Sequence, residues 1–353
     1  MTYDYSETVP YLIHWYERNA RILRWREEPK PYYVWVSEIM LQQTRVEAVK
    51  GYFDRFITEL PDIRALALAE EEKLLKLWEG LGYYNRVRNM QKAARIVVEE
   101  YGGELPADYE TLKKLPGIGS YTAGAIASIA FGIQEPSVDG NVLRVLKRVA
   151  GSFDDITKEK VKKELETDVR AILPKERPGD LNQALMELGA TVCLPNGKPL
   201  CEQCPVMHLC RAFHEGLEMK IPVKPPKKER KLEERTVFVI KQGMGEQLEL
   251  TLHKRPSKGL LSGMWELPNV PGHLEESQVG ELFPDAEIRR LPDGKHIFSH
   301  VEWRLWCYEV RLANLQADDT AQEIKHFTIK EIKEQISIPS AFDCCKKYME
   351  DEK

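Results

Sequence analysis

Hydrophobic residues recur at helical spacing through residues 8–215. Ser37 is a candidate N-cap for one such run, which continues through Val46, Val49, Tyr52, Phe53, Phe56 and Ile57. The glycines predicted to end helices are Gly80, Gly82, Gly102, Gly103 and Gly132. Helical runs separated by such short breaks predict a compact all-α region.

Further along the chain, apolar and polar residues alternate with a period of two. This pattern predicts strands over 236–240, 248–253 and 303–310, with helices near 331–334 and 341–349. The intervening segment is rich in proline and lysine, which is typical of a solvated connector. We therefore expect a multidomain protein with an all-α part at 1–219, a connector at 220–235 and an α+β part at 236–353.

Composition narrows the class of protein without naming a partner. The chain has 353 residues, of which 30% are charged, and carries 51 basic and 56 acidic residues for a net charge of −5. That balance neither requires nor excludes a polyanion, because a local basic face is enough to bind one. No apolar run of about 18 residues is present, and the N-terminus lacks the pattern of a secretory signal. We expect a cytoplasmic protein without a membrane partner.

Four of the seven cysteines lie close together in the pattern Cys193-x7-Cys201-x2-Cys204-x5-Cys210. Four thiolates at such spacing suit a tetrahedral zinc ion or a [4Fe-4S] cluster, whereas four unrelated buried cysteines are rarely so clustered. Zinc sites usually pair two close Cys-x2-Cys units, and only one is present here. The spacing favours the cluster. Cys307, Cys344 and Cys345 lie far away and are expected to be ordinary.

A second motif is the segment 115–124, Leu-Pro-Gly-Ile-Gly-Ser-Tyr-Thr-Ala-Gly. Gly117 and Gly119 predict a tight hairpin between two helices, whose backbone N–H groups converge on a possible phosphate site. A plain helix–helix turn explains Gly-x-Gly equally well. About twenty residues later, Asp139 precedes Gly140 and an aliphatic helix, where it is expected either to cap that helix or to face a cavity as well.

These motifs, in this order, resemble the endonuclease III superfamily of DNA glycosylases. The family shares a helix-hairpin-helix near 112–125, an aspartate about twenty residues later and a four-cysteine [4Fe-4S] loop at 193–210. With its second domain, the whole chain resembles the adenine DNA glycosylases of the MutY type from Trp25 onward. The resemblance implies a monomer that binds double-stranded DNA, acts at the nucleoid and removes adenine opposite 8-oxoguanine, with guanine or cytosine as further opposite bases.

The resemblance also implies how the reaction is divided among side chains. Glu38, in a match to the family's catalytic helix start, is the expected general acid, and an apolar neighbourhood would raise its pKa; a carboxylate favouring the helix dipole is the alternative. Asp139 is expected to stabilise the positive charge on the sugar, either electrostatically or through a covalent intermediate. Asn141 is expected to form hydrogen bonds near the reacting sugar and the two carboxyl groups. Tyr121 replaces the Schiff-base lysine of bifunctional relatives, which implies a monofunctional enzyme.

The same resemblance assigns residues to binding. Trp25, Arg26, Leu41 and Gln183 are expected to line the adenine pocket, and Gln43, Thr44 and Tyr83 to enter the duplex beside the opposite base. Tyr84 is expected to be a core aromatic.

The C-terminal part resembles a Nudix domain without the Nudix hydrolase box, which implies recognition rather than hydrolysis. Phe298, Ser299 and His300 match the family loop that reads 8-oxoguanine, because a serine hydroxyl can test the hydrogen on N7 of the lesion. Without the resemblance, a turn at the end of a strand is the simpler interpretation.

One feature departs from the family. The gap between Cys193 and Cys201 is one residue longer than usual, and Asn196-Gly197 predicts an outward turn that accommodates it. Two other functions stay open. A pyrimidine-damage glycosylase and lyase conflicts with Tyr121 and with the second domain, and a non-catalytic iron–sulfur DNA-binding protein conflicts with the presence of both Glu38 and Asp139.

Overall fold

A computed structural model describes residues 3–226, 229–312 and 324–350, with the side chain of residue 246 excepted. Its α-helices are α1 Val9–Asn19, α2 Arg24–Glu27, α3 Pro31–Leu41, α4 Val46–Glu59, α5 Ile63–Leu68, α6 Glu71–Leu77, α7 Asn85–Glu100, α8 Tyr109–Leu112, α9 Ser120–Ala125, α10 Gly140–Ala150, α11 Glu159–Ile172, α12 Pro178–Thr191, α13 Arg211–His214, α14 Glu276–Leu282, α15 Ile329–Glu334 and α16 Asp343–Lys346. The strands are β1 Lys231–Gln242, β2 Glu249–Lys254, β3 Trp265–Glu266, β4 Asn269–Pro271, β5 Glu287–Arg290, β6 Gly294–Ile297, β7 Val301–Arg311 and β8 Ile324–Thr328.

The chain forms two compact units that do not follow its order. The first unit consists of Met1–Leu68 and Arg88–Pro226, and the second of Ala69–Val87 and Lys227–Lys353. The grouping of Ala69–Val87 with the C-terminal half was not anticipated from the sequence. In that unit the Lys76 ammonium donates to the backbone oxygens of Ile332 and Ile336, at 3.0 Å each.

Part of the predicted connector is ordered secondary structure or packed chain. Ile221 is buried, and its carbonyl oxygen accepts a hydrogen bond of 2.8 Å from Arg148 of the helical unit. Strand β1 begins at Lys231, five positions before the predicted start of the second domain. The expectation of a connector over the whole of 220–235 is therefore wrong at both ends, because Ile221 is buried in contact with the helical unit and residues 231–235 pair with β7 in the sheet.

The predicted N-cap and helix start near Ser37 are also wrong. Helix α3 begins at Pro31, so Ser37 and Glu38 lie inside it and nearer its C-terminal end. Ser37 is buried and its hydroxyl donates to the carbonyl oxygen of Val34, one turn back. Most of this helix is buried, so its apolar residues show no single stripe from which the start could be recognised. A role for Glu38 at the positive end of a helix dipole is thereby removed.

Helices α10 and α12 form the centre of the helical unit. Helix α10 ends at Gly151, whose φ of 66° is the left-handed conformation typical of a helix C-terminus. The buried aliphatic side chains shared by the two helices are Val142, Val145, Leu146, Val149, Leu181, Leu185 and Leu188.

The predicted helix-hairpin-helix is present between α8 and α9. Gly117 has a φ of 79° at the turn, and Gly119 is the extended N-cap residue of α9. Small residues then allow α9 to pack against the chain that leads to Asp139. A Cβ at Gly124 would lie 2.0 Å from the carbonyl oxygen of Pro136, so only glycine fits there.

The second unit is built on a mixed sheet in the order β3-β2-β1-β7-β5. Strands β1 and β7 are parallel over eleven residue pairs, from Lys231 opposite Val301 to Lys241 opposite Arg311. The other pairings are antiparallel: β4 and β2 pair with β1, β5 and β6 with β7, and β3 and β8 with β2. The three strands predicted from the period of two are confirmed as β1, β2 and β7.

Alternation along β1 and β7 gives the sheet two covered faces. Val237, Val239, Trp303 and Cys307 pack on the face that carries the C-terminal helices. On the other face, α14 covers a smaller cluster consisting of Phe238, Ile240, Val279, Tyr308 and Val310. Among the described residues, no helix has the length and apolar character required to cross a lipid bilayer.

We predict that Gly124→Ala destabilises the helical unit. The new methyl group would overlap the Pro136 carbonyl, and forced overpacking of this kind costs about 1–3 kcal/mol or more. Gly51→Ala is the matched control, because this helical glycine has no neighbour within 4 Å and alanine should stabilise it by up to about 1 kcal/mol. Denaturant unfolding followed by far-UV circular dichroism measures both; equal midpoints for the two variants would contradict the close contact.

Candidate active site

The helical unit contains an open cavity of about 710 Å³. Its lining comes from the segment that includes α2 and α3, from Tyr121 of α9, from the start of α10 and from α12. It is lined by every residue that the sequence proposes as catalytic or adenine-binding, namely Trp25, Arg26, Glu38, Leu41, Tyr121, Asp139, Asn141 and Gln183. Thr44 lines it as well. The volume lies within the range of small-molecule pockets. Residues from distant parts of the chain therefore face one common space, although their individual roles stay predictions.

Glu38 is buried at the floor of this cavity, with 6% of its surface exposed. Burial raises the pKa of its carboxyl group to about 7; nearby Asp139 adds to this rise, while Arg26 and a hydrogen bond donated by the Tyr121 hydroxyl oppose it. A carboxyl group in this range can be protonated near neutral pH and can donate that proton.

Tyr121 comes from α9 and reaches both Glu38 and the sulfur of Met186, the latter at 3.3 Å. Burial, with Glu38 and Asp139 nearby, holds the pKa of this phenol well above its usual range. Tyr121 is therefore a neutral hydrogen-bond donor.

Asp139 is both the N-cap of α10 and a wall of the cavity, so both interpretations of this residue hold. Its Oδ1 accepts from the backbone N–H groups of Asn141 and Val142, each at 2.8 Å, and its Oδ2 accepts from the Asn141 amide at 2.6 Å. Burial raises the pKa of Asp139, and these hydrogen bonds act against that rise because they favour the anion. Of the two carboxyl groups, Asp139 has the surroundings of the anion and Glu38 those of the acid.

A buried ion pair at the rim of the cavity was missed by the sequence analysis. Glu187 accepts hydrogen bonds from Arg21 at 2.6 and 2.8 Å and from Arg26 at 2.7 Å. Burial opposes its ionisation, but the two arginines outweigh burial and lower its pKa to about 2. The sequence feature that could have revealed this ion pair is a charged residue, Glu187, in the largely apolar helix α12, one turn after Gln183. Glu187 fixes Arg26 against the pocket wall.

Two of the three residues predicted to enter the duplex, Gln43 and Tyr83, have an unusual backbone conformation that Thr44 does not share. Gln43, in the first unit, is exposed and has a φ of 60°, and Tyr83, in the second, is half exposed with a φ of 47°. Such conformations cost free energy in residues other than glycine and cluster at functional sites. Tyr84 is buried, and its hydroxyl lies 3.3 Å from that of Ser337, so the core interpretation of Tyr84 is confirmed.

Phe298, Ser299 and His300 form the short turn between β6 and β7. Phe298 packs edge-on against Trp303 with ring centroids 4.9 Å apart. Ser299 and His300 are exposed, and the Ser299 hydroxyl lies 3.2 Å from Nδ1 of His300. The segment is therefore a turn at the end of a strand, as the simpler interpretation predicts. Its exposed side chains are accessible, so a role in recognition stays a prediction.

All four clustered cysteines line one pocket beyond the end of α12. Their thiols are free, and Arg148 donates to the Cys193 sulfur at 3.3 Å. In the described part of the chain, no three of these four sulfurs lie within 4.8 Å of one another. Around one tetrahedral zinc ion, the sulfurs would be about 3.8 Å apart. The four sulfurs are therefore not arranged as the ligands of one tetrahedral zinc ion.

Arg144 connects the cysteine loop to the cavity. It donates to the carbonyl oxygens of Cys193 at 2.8 Å and Gly189 at 2.6 Å, and to Oδ1 of Asn141 at 2.9 Å. Between the first two cysteines, Gly197 lies in an exposed turn with a φ of 73°, as the Asn-Gly pair predicts. The same loop lines the cavity through Leu194, Pro195 and Asn196.

Two family models match the chain. Residues 36–171 match the HhH-GPD superfamily of base excision DNA repair proteins, and residues 236–347 match the NUDIX domain. Among solved structures, the chain is similar to a thermostable thymine-DNA glycosylase (28% identity, TM-score 0.53, covering 59% of this chain and 96% of that one). It is also similar to endonuclease III in a non-covalent DNA complex (25% identity, TM-score 0.52, 62% and 99%). These matches confirm the predicted fold class.

Curated relatives narrow the assignment. The adenine DNA glycosylase of Mus musculus is 37% identical over 91% of this chain and 73% of its own length. That of Buchnera aphidicola, from Schizaphis graminum, is 34% identical over 84% of this chain and 85% of its own. Together with the two domain matches, these relatives show that the chain belongs to the adenine DNA glycosylase family of base excision repair enzymes.

Proposed function

We propose that this adenine DNA glycosylase removes adenine opposite 8-oxoguanine, with guanine or cytosine as further opposite bases, and that it breaks only the N-glycosidic bond. The observation that carries the proposal is the pair of carboxyl groups in one cavity, Glu38 with a pKa near 7 and Asp139 bonded as an anion. A glycosidase needs this division between an acid and a stabilising anion.

In the proposed reaction, the flipped adenine enters the cavity beside Trp25, Arg26, Leu41 and Gln183. Glu38 gives its proton to a ring nitrogen of adenine, which makes the base a better leaving group. Asp139 stabilises the positive charge that develops on the sugar, and Asn141 holds Asp139 in place. Water then adds its oxygen to the sugar carbon and loses one proton, which replaces the proton that Glu38 gave to the base. The products are free adenine and a sugar that carries a hydroxyl group.

Tyr121 supports the monofunctional part of the proposal. A strand-cleaving lyase needs an amine that forms an imine with the opened sugar, and a phenol cannot do so. Among the described residues that line the cavity, the cationic side chains are arginines and none is a lysine. Arginine stays protonated and is no substitute for that amine.

A [4Fe-4S] cluster is the cofactor that we propose for Cys193, Cys201, Cys204 and Cys210. Their common pocket and their spacing along the sequence support it, and their sulfurs are not arranged around a single zinc ion. The bound cluster would connect the four cysteines of this loop to one another. It would thereby fix the position of Leu194, Pro195 and Asn196, which line the cavity. A monomeric state and a cytoplasmic, nucleoid-associated location stay predictions from the sequence.

The deciding experiment is single-turnover base release with excess enzyme on duplexes with adenine opposite 8-oxoguanine, adenine opposite cytosine, or thymine glycol. Each is assayed with and without alkali. We expect strand cleavage at adenine opposite 8-oxoguanine that depends on alkali. Cleavage at thymine glycol without alkali would show that the protein is a pyrimidine-damage glycosylase and lyase. Absence of base release from all three duplexes would show that it is a DNA-binding protein without this activity.

The pH dependence tests the two residues at the cavity floor. Because Glu38 must be protonated, the single-turnover rate should fall above pH about 7, by about tenfold per pH unit.

Tyr121→Phe removes a hydrogen bond that lowers the pKa of Glu38, so the fall in rate at alkaline pH should move to higher pH. Glu38→Gln should lose the activity. A fall in rate at the same pH in Tyr121→Phe would contradict the hydrogen bond, and wild-type rates in Glu38→Gln would exclude the acid role.

Ser299→Ala tests recognition of the lesion. Losing one neutral hydrogen bond of about 0.5–1.5 kcal/mol should reduce the preference for 8-oxoguanine over guanine opposite adenine by about 2- to 10-fold. The rate on adenine opposite guanine is the internal control and should stay unchanged, because Ser299 is exposed and its substitution removes no buried contact. An unchanged preference would remove Ser299 from the reading loop.

A further inference from the structure

Three cysteines of the second unit, expected from the sequence to be ordinary, form a compact group. Cys307 lies on β7, and Cys344 and Cys345 are consecutive residues of α16. The sulfur of Cys307 is 3.9 Å from that of Cys344 and 3.2 Å from that of Cys345, and the last two are 3.7 Å apart. We call this group the C-terminal thiol triad.

If these cysteines were only small apolar residues in a core, their sulfurs would not need to meet at one point. Successive side chains on a helix point about 100° apart, yet the sulfurs of Cys344 and Cys345 meet. Space for Cys344 depends on Gly294 of β6, where a Cβ would lie 2.4 Å from the Cys344 sulfur. Cys307 and Cys345 are fully buried, whereas Cys344 is partly exposed.

The distances match those of a single metal ion bound by thiolates. With metal–sulfur bonds of about 2.3 Å, sulfurs around a tetrahedral ion are about 3.8 Å apart. Two of the three separations in the triad agree with this value, and the third must lengthen by about 0.6 Å. The triad is the group of three potential ligands, among the described residues, whose donor atoms all lie within 4.8 Å.

We propose that the C-terminal thiol triad binds one thiophilic d10 cation, for which Zn²⁺ is the probe. Soft thiolate ligands select ions of this class. Each thiol gives its proton to solvent and forms one sulfur–metal bond, with no change of oxidation state. Water can fill a fourth position beside the partly exposed Cys344. This inference does not rest on the proposed reaction.

The bound ion would fix the C-terminal helix to the sheet behind the reading turn. Cys307 belongs to the face of β7 that also carries Trp303 and Leu305. Trp303 contacts Phe298 of the turn on one side and Phe342, two residues before Cys344, on the other, with centroids 4.9 and 6.2 Å apart. The ion would therefore join α16, which follows Phe342, to the strand that carries Trp303, and so support the ring that Phe298 of the turn contacts.

The experiment measures metals in the full-length protein purified without oxygen and dialysed against metal-free buffer. We expect one zinc per chain in addition to any iron. Cd²⁺ added to this protein should displace the zinc and produce the ultraviolet thiolate-to-cadmium charge-transfer band. That band reports sulfur ligation directly and separates the triad from adventitious carboxylate binding.

Two variants and one control locate the ion. Cys344→Ser and Cys345→Ser should each lose at least tenfold in zinc content and in the cadmium band, with iron content and far-UV circular dichroism unchanged. Unchanged iron shows that the four N-terminal cysteines are intact. Asp343→Asn is the matched control: this exposed neighbour pairs with Lys346 at 2.9 Å, and its loss should leave zinc at one per chain.

Three results would overturn the proposal. The first is a wild-type chain with less than about a tenth of an equivalent of zinc that gives no cadmium band. The second is zinc that persists in both cysteine variants, which would place it at the other four cysteines. The third is an intact mass lower by two hydrogens, with two of the three triad cysteines resistant to alkylation after denaturation, which would show a disulfide in place of a metal site. Because Cys344 is partly exposed, its variant is expected to fold even if that of Cys345 is not.

Discussion

The close approach of helices at glycine is the constraint on which the cavity depends. A Cβ at Gly124 would meet the Pro136 carbonyl at 2.0 Å, and one at Gly189 would meet the Cβ of Asn141 at 2.5 Å. The first contact brings α9, with Tyr121, against the segment that ends in Asp139. The second brings α12, with Glu187, against the start of α10. Without side chains at these two points, residues far apart in sequence can share one small volume.

Within that volume, unequal hydrogen bonding separates two carboxyl groups that burial alone would treat alike. Burial raises the pKa of both Glu38 and Asp139. Asp139 accepts three hydrogen bonds at a helix N-terminus, whereas the bond shown for Glu38 is the single one from Tyr121. The proton is therefore favoured on Glu38. Each negative charge also raises the cost of the other, so the two groups act as one unit.

Around the cavity, the buried Arg144 and the partly buried Arg26 connect distant segments. Arg144 joins the carbonyl of Cys193 to Asn141, and Arg26 is held by Glu187. A buried guanidinium needs several acceptors, so each arginine fixes more than one segment at once. The cysteine loop and the cavity are consequently not independent: a change in the loop reaches Asn141 through a single side chain.

The sequence by itself predicted an all-α part followed by an α+β part, the strands of period two and the helix-hairpin-helix, because these features depend on local spacing and turn chemistry. The residues that meet in the cavity were predicted through the resemblance to a known family, whose short motifs can be recognised without the fold. The assignment of Ala69–Val87 to the second unit was not predicted. Glu187, Arg144 and the C-terminal thiol triad were not found, and Ser37 was misplaced as a cap. Only the tertiary structure decided these, because burial and partners separated by tens of residues turn an ordinary glutamate, arginine or cysteine into part of a site. Local sequence carries periodicity and turn chemistry, but the environment that sets a pKa or gathers three sulfurs exists only once the chain has folded.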